Sequence, residues 1–117
     1  MPRSLLATAL FLAGALVPTA SFAAFDAAGY YQMRCAACHG SDGQGTRGQT
    51  PALGPALKGN PFVVNGSPGA IRTIVRKGRS GKKRLYNDTY PNMPSFGSEA
   101  VPDVDALVAF LKGDLQR

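Results

Sequence analysis

The chain has 117 residues, which is long enough for one small domain with a limited hydrophobic core. It carries a formal net charge of +6 but only two cysteines and one histidine. A structural zinc site uses four Cys or His ligands, so one here would need a carboxylate or a second chain.

The first 23 residues have the features of a secretory signal. Arg3 lies near the start, residues 5–17 are apolar, and residues 21–23 have the small-residue pattern of a cleavage site. The apolar run is shorter than the roughly 20 residues that cross a bilayer, which argues against the alternative of an uncleaved anchor. We therefore predict a cleaved signal over residues 1–23, export to the periplasm, and a domain over residues 24–117 without a transmembrane segment.

The predicted domain is rich in loops. Glycine and proline make up 20 of residues 24–117, well above the roughly 12 per cent of average proteins. Internal repeats and alternating strand patterns are absent from the sequence. A first helix is expected from Asp26, as N-cap, to about Cys35, with Tyr31 as a large packing residue.

Both cysteines and the single histidine lie in one stretch, Cys35-Ala36-Ala37-Cys38-His39. This Cys-x-x-Cys-His spacing is the one that attaches a c-type haem. Each thiol adds to one vinyl group of the haem, and His39 is then placed as the proximal iron ligand. A thioredoxin-like redox pair expects a preceding strand, whereas a helix is predicted here. A disulfide between these cysteines would close almost no loop.

Residues 40–52 are predicted to form a glycine-rich loop, and their glycines match neither the P-loop nor the dinucleotide fingerprint. A rigid Gly-Pro turn follows at Gly54 and Pro55. A histidine that binds a metal usually donates its other ring N–H to an oriented acceptor. The carbonyl oxygen of Pro55 is our candidate for that acceptor.

A second helix is predicted from Pro68 to Lys77, with Ser67 as N-cap and Gly78 as its stop. The segment 72–84, here called the basic segment, has no acidic residue and seven basic ones: Arg72, Arg76, Lys77, Arg79, Lys82, Lys83 and Arg84. It is interpreted either as solvated surface or as a docking patch for an acidic partner. The predicted export and haem argue against nucleic acid, whereas anionic lipid headgroups remain an option.

Met93 lies between Pro91 and Pro94 and is the remaining thioether that can complete the iron's sixth position. Met33 is set aside as a packing residue, because it lies only six residues before His39 on the same helical segment. His/Met ligation gives a relatively high reduction potential and a filled iron site, which favours electron transfer over catalysis at iron.

A last amphipathic helix is predicted to start at Pro102, with Asp103 and Asp105 in its first turn and Gly113 directly after its end. Its apolar residues recur at helical spacing. We expect this helix to pack on the first one, with Leu107 and Phe110 against Ala27, Ala28 and Tyr31.

These motifs, taken together and in this order, resemble the class I c-type cytochromes. The resemblance implies an all-α fold of three to five helices with long loops around one covalent haem c. It also implies thioether bonds from Cys35 and Cys38, axial ligation by His39 and Met93, and Pro55 as the carbonyl partner of His39.

Three functions follow from these predictions. The first is a periplasmic single-electron carrier, not an enzyme, that meets an acidic dehydrogenase, oxidase or reductase as a monomer in transient complexes. The second is a dedicated haem subunit or acceptor of one dehydrogenase. The third is a five-coordinate haem protein that binds gas or peroxide.

Overall fold

The computed structural model describes residues 14–19, 23–86 and 89–117. Over these residues the chain forms five α-helices: α1 (Ala27–Arg34), α2 (Ala36–His39), α3 (Pro61–Asn65), α4 (Pro68–Lys77) and α5 (Val104–Lys112). Two short 3-10 helices follow α4 and α5, at Gly81–Lys83 and Asp114–Gln116. The described ranges contain no β-strand. The prediction of an all-α fold is confirmed.

The helix starts follow from local capping. Asp26 accepts a hydrogen bond from the Gly29 N–H at 2.8 Å, and Ser67 accepts one from the Ala70 N–H at 3.1 Å, as the sequence predicts. Helix α5 begins slightly later than expected. Asp103 is its N-cap rather than part of its first turn, because its carboxylate accepts a hydrogen bond from the Ala106 N–H at 2.9 Å.

Helix α3 is absent from the sequence-based predictions. Asn60 caps it by accepting a hydrogen bond from the Phe62 N–H at 3.0 Å, and Pro61 occupies its first position. Five residues are too few to show a helical period, so this Asn-Pro pair was the one available signal.

The core lies where α1, α4 and α5 meet. Tyr31 of α1 and Leu107 of α5 are almost completely buried, and the Tyr31 and Phe110 rings lie 5.6 Å apart in a tilted arrangement. Ile71 and Val75 of α4 complete the contact. The predicted packing of the last helix on the first is therefore confirmed for Tyr31, whereas Ala28 is exposed to solvent.

The predicted secretory signal falls largely outside the described residues. Residues 14–19 have no regular secondary structure and are exposed to solvent. Nothing in the described ranges tests the boundary after residue 23. In these ranges, no helix has the length and apolar character needed to cross a membrane.

Candidate functional site

The predicted haem-attachment motif lies on a single short turn. Cys35 is the C-cap of α1 and also precedes α2, and its carbonyl oxygen accepts hydrogen bonds from the N–H groups of Cys38 and His39 at 3.2 and 2.9 Å. All three side chains are partly buried. Burial raises the pKa of the Cys35 thiol to about 11, and the nearby Cys38 adds to this effect.

The His39 ring is fixed by the Gly-Pro turn. Its Nδ1 lies 2.8 Å from the carbonyl oxygen of Pro55. A carbonyl only accepts hydrogen bonds, so Nδ1 carries the proton and Nε2 keeps its lone pair. Burial lowers the pKa of His39, although the hydrogen bond to Pro55 opposes that shift. The ring is therefore held neutral and oriented, which is the form that binds a metal.

Thr46 holds that turn in place, and sequence reasoning missed it. Its buried Oγ1 lies 3.0 Å from the Cys38 carbonyl oxygen and accepts hydrogen bonds from the N–H groups of Leu53 and Gly54 at 2.8 and 3.0 Å. A Cβ on Gly54 would come within 2.7 Å of the same Cys38 oxygen. The hydroxyl and this glycine bring the Pro55 turn against the haem-attachment motif.

Met93 is held against the end of α4. The N–H of Arg79 donates to the Met93 carbonyl oxygen at 3.0 Å, and the N–H of Met93 donates to the Arg79 carbonyl oxygen at 2.9 Å. Gly78 packs so closely against Met93 and Pro94 that a Cβ there would collide with the Met93 carbonyl oxygen. The Met93 backbone is thus fixed relative to the core helix α4.

Three adjoining cavities converge on the site, and we name each by its lining. The arginine cavity is lined by Arg79 and Arg84, the cysteine cavity by Cys35 and Cys38, and the core cavity by side chains of α4 and α5. His39 and Met93 are the two residues that line all three.

The residues of these cavities fit a haem. The arginine cavity alone has about 590 Å³ of space not filled by atoms, part of it open to solvent. The lining is mainly apolar, as a macrocycle requires. The Tyr30 hydroxyl, beside the core cavity, is buried without a hydrogen-bond partner among the described residues. Two thiols, a neutral imidazole and a thioether all lie around this space.

One sequence-based interpretation, that of Met33, is wrong. Met33 is 76% exposed, so it is not a packing residue, and it lines none of the three cavities. The buried residues of α1 are instead Tyr30 and Tyr31.

The residues of the basic segment, whose role the sequence left open, differ in their environments. Arg72 is ion-paired with Asp105 at 2.6 Å, and Arg76 donates to the carbonyl oxygens of Gly97 and Val101 at 2.7 and 2.9 Å. Arg79 and Arg84 are partly buried, while Lys77, Lys82 and Lys83 are exposed.

The comparisons with known proteins gave one match. A family model described as cytochrome c oxidase, cbb3-type, subunit III, matches residues 23–111, about three quarters of the chain. No curated protein and no solved structure matches the chain.

Proposed function

Because the chain belongs to the family described as cytochrome c oxidase, cbb3-type, subunit III, we propose that it carries single electrons with His39 and Met93 as the axial iron ligands. Family membership shows a c-type cytochrome domain with covalently bound haem c, and therefore an electron-transfer protein. The observation that carries the ligand assignment is that His39 and Met93 line all three cavities.

The haem iron supplies the one-electron couple between Fe(II) and Fe(III). Cys35 and Cys38 would hold the haem through thioether bonds to its two former vinyl groups. Pro55 keeps the His39 ring in one orientation, so that Nε2 would bind the iron through its lone pair. The Arg79 backbone restrains Met93, and a weak sulfur ligand needs such restraint. His/Met ligation would fill the iron site and, together with the apolar lining, would give a relatively high reduction potential.

We place the docking surface at the exposed part of the basic segment. Lys82 and Lys83 are exposed next to Leu85 and Tyr86, two large side chains that are 59% and 44% exposed and that also line the arginine cavity. A basic rim around an apolar edge suits an acidic redox partner, because charge steers the encounter and the apolar centre allows close approach. The chain then acts as a carrier in the periplasm, where acidic dehydrogenases, oxidases or reductases would be its partners.

The deciding experiment is an absorption spectrum of the haem-loaded protein in both oxidation states, with and without carbon monoxide. A low-spin spectrum with the weak far-red sulfur–iron band of the oxidised form, unaltered by carbon monoxide, supports the assignment. A high-spin spectrum that shifts with carbon monoxide would overturn it and support the five-coordinate alternative.

A second candidate is a dedicated subunit of one enzyme, favoured by the family description, which names an oxidase subunit. Affinity purification from the native membrane and periplasmic fractions separates the two. A stoichiometric complex that survives high salt supports the subunit, and recovery of the free chain supports the carrier.

A further inference from the structure

Arg79 is a charged side chain in an apolar setting. It is partly buried, and its guanidinium carbon lies 4.7 Å from the centre of the Phe62 ring. Its one side-chain hydrogen bond in the described ranges is a weak one of 3.4 Å to the Lys83 carbonyl oxygen. No carboxylate of the described residues pairs with it. A partly buried cation without a counter-charge is costly, so the position calls for an anion.

The position of Arg79 within the cleft indicates which anion. Cys35 and Cys38 line the cysteine cavity, and neither lines the arginine cavity. In haem, the two vinyl groups that react with thiols lie on one edge of the ring, and the two propionate carboxylates lie on the opposite edge. A haem attached at Cys35 and Cys38 that reaches past His39 therefore presents its carboxylates away from the cysteines. The arginine cavity is the part of the cleft on that side.

We propose that Arg79 forms an ion pair with a propionate carboxylate of the haem. A guanidinium presents two parallel N–H donors that match a carboxylate, and the contact with the Phe62 ring holds the guanidinium at the cavity wall. The same residue is paired through its backbone with Met93. Arg79 is therefore a positioning residue that would join the carboxylate edge of the haem to the loop that carries Met93, whether or not Met93 binds the iron as the sixth ligand. The proposal rests on the covalent haem c and not on Met93 being that ligand.

The test is the reduction potential of the haem-loaded Arg79→Gln protein, measured at constant pH. Loss of the guanidinium leaves the propionate charge unbalanced, which favours Fe(III). We expect the oxidised-to-reduced ratio at a fixed ambient potential to rise about tenfold, a fall of about 59 mV for one electron. Arg47→Gln is the matched control, because Arg47 is exposed, lines none of the cavities and loses the same charge. Equal potentials in the two variants would overturn the proposal.

A carboxylate-specific measurement separates an ion pair from a general charge effect. In reduced-minus-oxidised infrared spectra, Arg79→Gln should shift a carboxylate band that Arg79→Lys restores in part and Arg47→Gln leaves in place. Asp88 is the one acid between residues 72 and 98 of the sequence and lies outside the described residues. If Asp88→Asn abolishes the band and the potential difference, Asp88 is the counter-ion and the proposal is wrong.

The same variants also distinguish the ion pair from a role of Arg79 in partner docking. Slower electron exchange in Arg79→Gln with unchanged potential and infrared bands would assign Arg79 to partner docking and overturn the ion pair. The absorption spectrum, recorded on the same samples, reports the sixth ligand independently. Should Arg79→Gln fail to accumulate haem, Arg79→Lys alone decides, since an ion pair predicts a shifted carboxylate band at nearly native potential.

Discussion

The backbone of Arg79 pairs with that of Met93 through two hydrogen bonds, of 3.0 and 2.9 Å, directly after helix α4 ends. Gly78 makes this pairing possible. It has φ +68° and lies against the Met93 carbonyl oxygen, where any side chain would collide. The position of Met93 therefore depends on a single residue at the end of α4.

Gly78→Ala should weaken both folding and the proposed sulfur–iron bond. The strained backbone costs about 1–3 kcal/mol, and the Cβ displaces Met93 as well. Gly59→Ala is the control, since Gly59 has φ +69° but open space around its Cβ position. Chemical denaturation should show a larger loss for Gly78→Ala. Only that variant should lose intensity in the far-red band, and equal spectra for the two variants would contradict the role given to Gly78.

Met93→Ala should convert the haem from low spin to an open form that binds carbon monoxide. The reason is that no second thioether lines the cavities among the described residues. Met33→Ala removes the same side chain from an exposed position on α1 and should leave the spectrum unchanged. Absorption spectroscopy of both variants decides the point. An unaltered Met93→Ala spectrum would remove Met93 from the site.

Tyr31→Phe should destabilise the protein by about 1 kcal/mol. The Tyr31 hydroxyl donates a 2.6 Å hydrogen bond to the Gly40 carbonyl oxygen and so ties α1 to the residue after α2. Tyr86→Phe alters an exposed ring and should stay within about 0.5 kcal/mol of the parent. Thermal unfolding of the two haem-loaded variants makes the comparison. A Tyr31→Phe loss no larger than that of Tyr86→Phe would show that the bond contributes nothing net.

The sequence predicts best what is decided by neighbouring residues. Helix α4 has the predicted bounds, because Ser67, Pro68 and Gly78 are start and stop signals that act within a few residues. Likewise, haem attachment could be predicted because the residues it needs all lie within the five consecutive positions from Cys35 to His39. The exposed position of Met33 could not be predicted in this way, since it depends on which side of α1 meets α5.

Contacts between distant segments explain the other omissions. Thr46 lies in a glycine-rich loop whose composition is that of an ordinary turn. Its role becomes visible only in the folded structure, where its hydroxyl contacts both Cys38 and Gly54. The seven basic residues form one run in sequence, yet Arg76, Arg79 and Arg84 turn toward the protein while three lysines stay in solvent. Charge counting cannot separate these two groups.

Reversing charge at the exposed lysines should slow electron exchange with an acidic partner. Lys82→Glu combined with Lys83→Glu spares the internal contacts of the arginines and should lower the second-order rate about tenfold at low salt, with a flatter salt dependence. Arg47→Glu with Arg117→Glu makes the same charge change at exposed positions outside the cavities. Stopped-flow kinetics over a range of ionic strength tests this. Equal effects of the two double variants would mean that only net charge matters.

Thr46→Val should loosen the turn that carries Pro55. Valine has nearly the same shape as threonine but cannot accept the hydrogen bonds from Leu53 and Gly54, which leaves two amides without their partner. The expected loss is about 1–3 kcal/mol of unfolding free energy. Thr73→Val removes a hydroxyl that bonds only to its own helix, at the Gly69 carbonyl oxygen, and should cost little.

Amide hydrogen exchange gives that prediction a local readout. In Thr46→Val the Leu53 and Gly54 amides should exchange faster than in the parent, while amides in the middle of α5 change only as much as global stability does. Because the Pro55 carbonyl follows directly after Gly54, the same loosening should broaden the His39 ring N–H resonance. Unchanged exchange protection at Leu53 and Gly54 would mean that the turn is held by its backbone alone. Thr46 would then have no role in positioning Pro55 and, through it, His39.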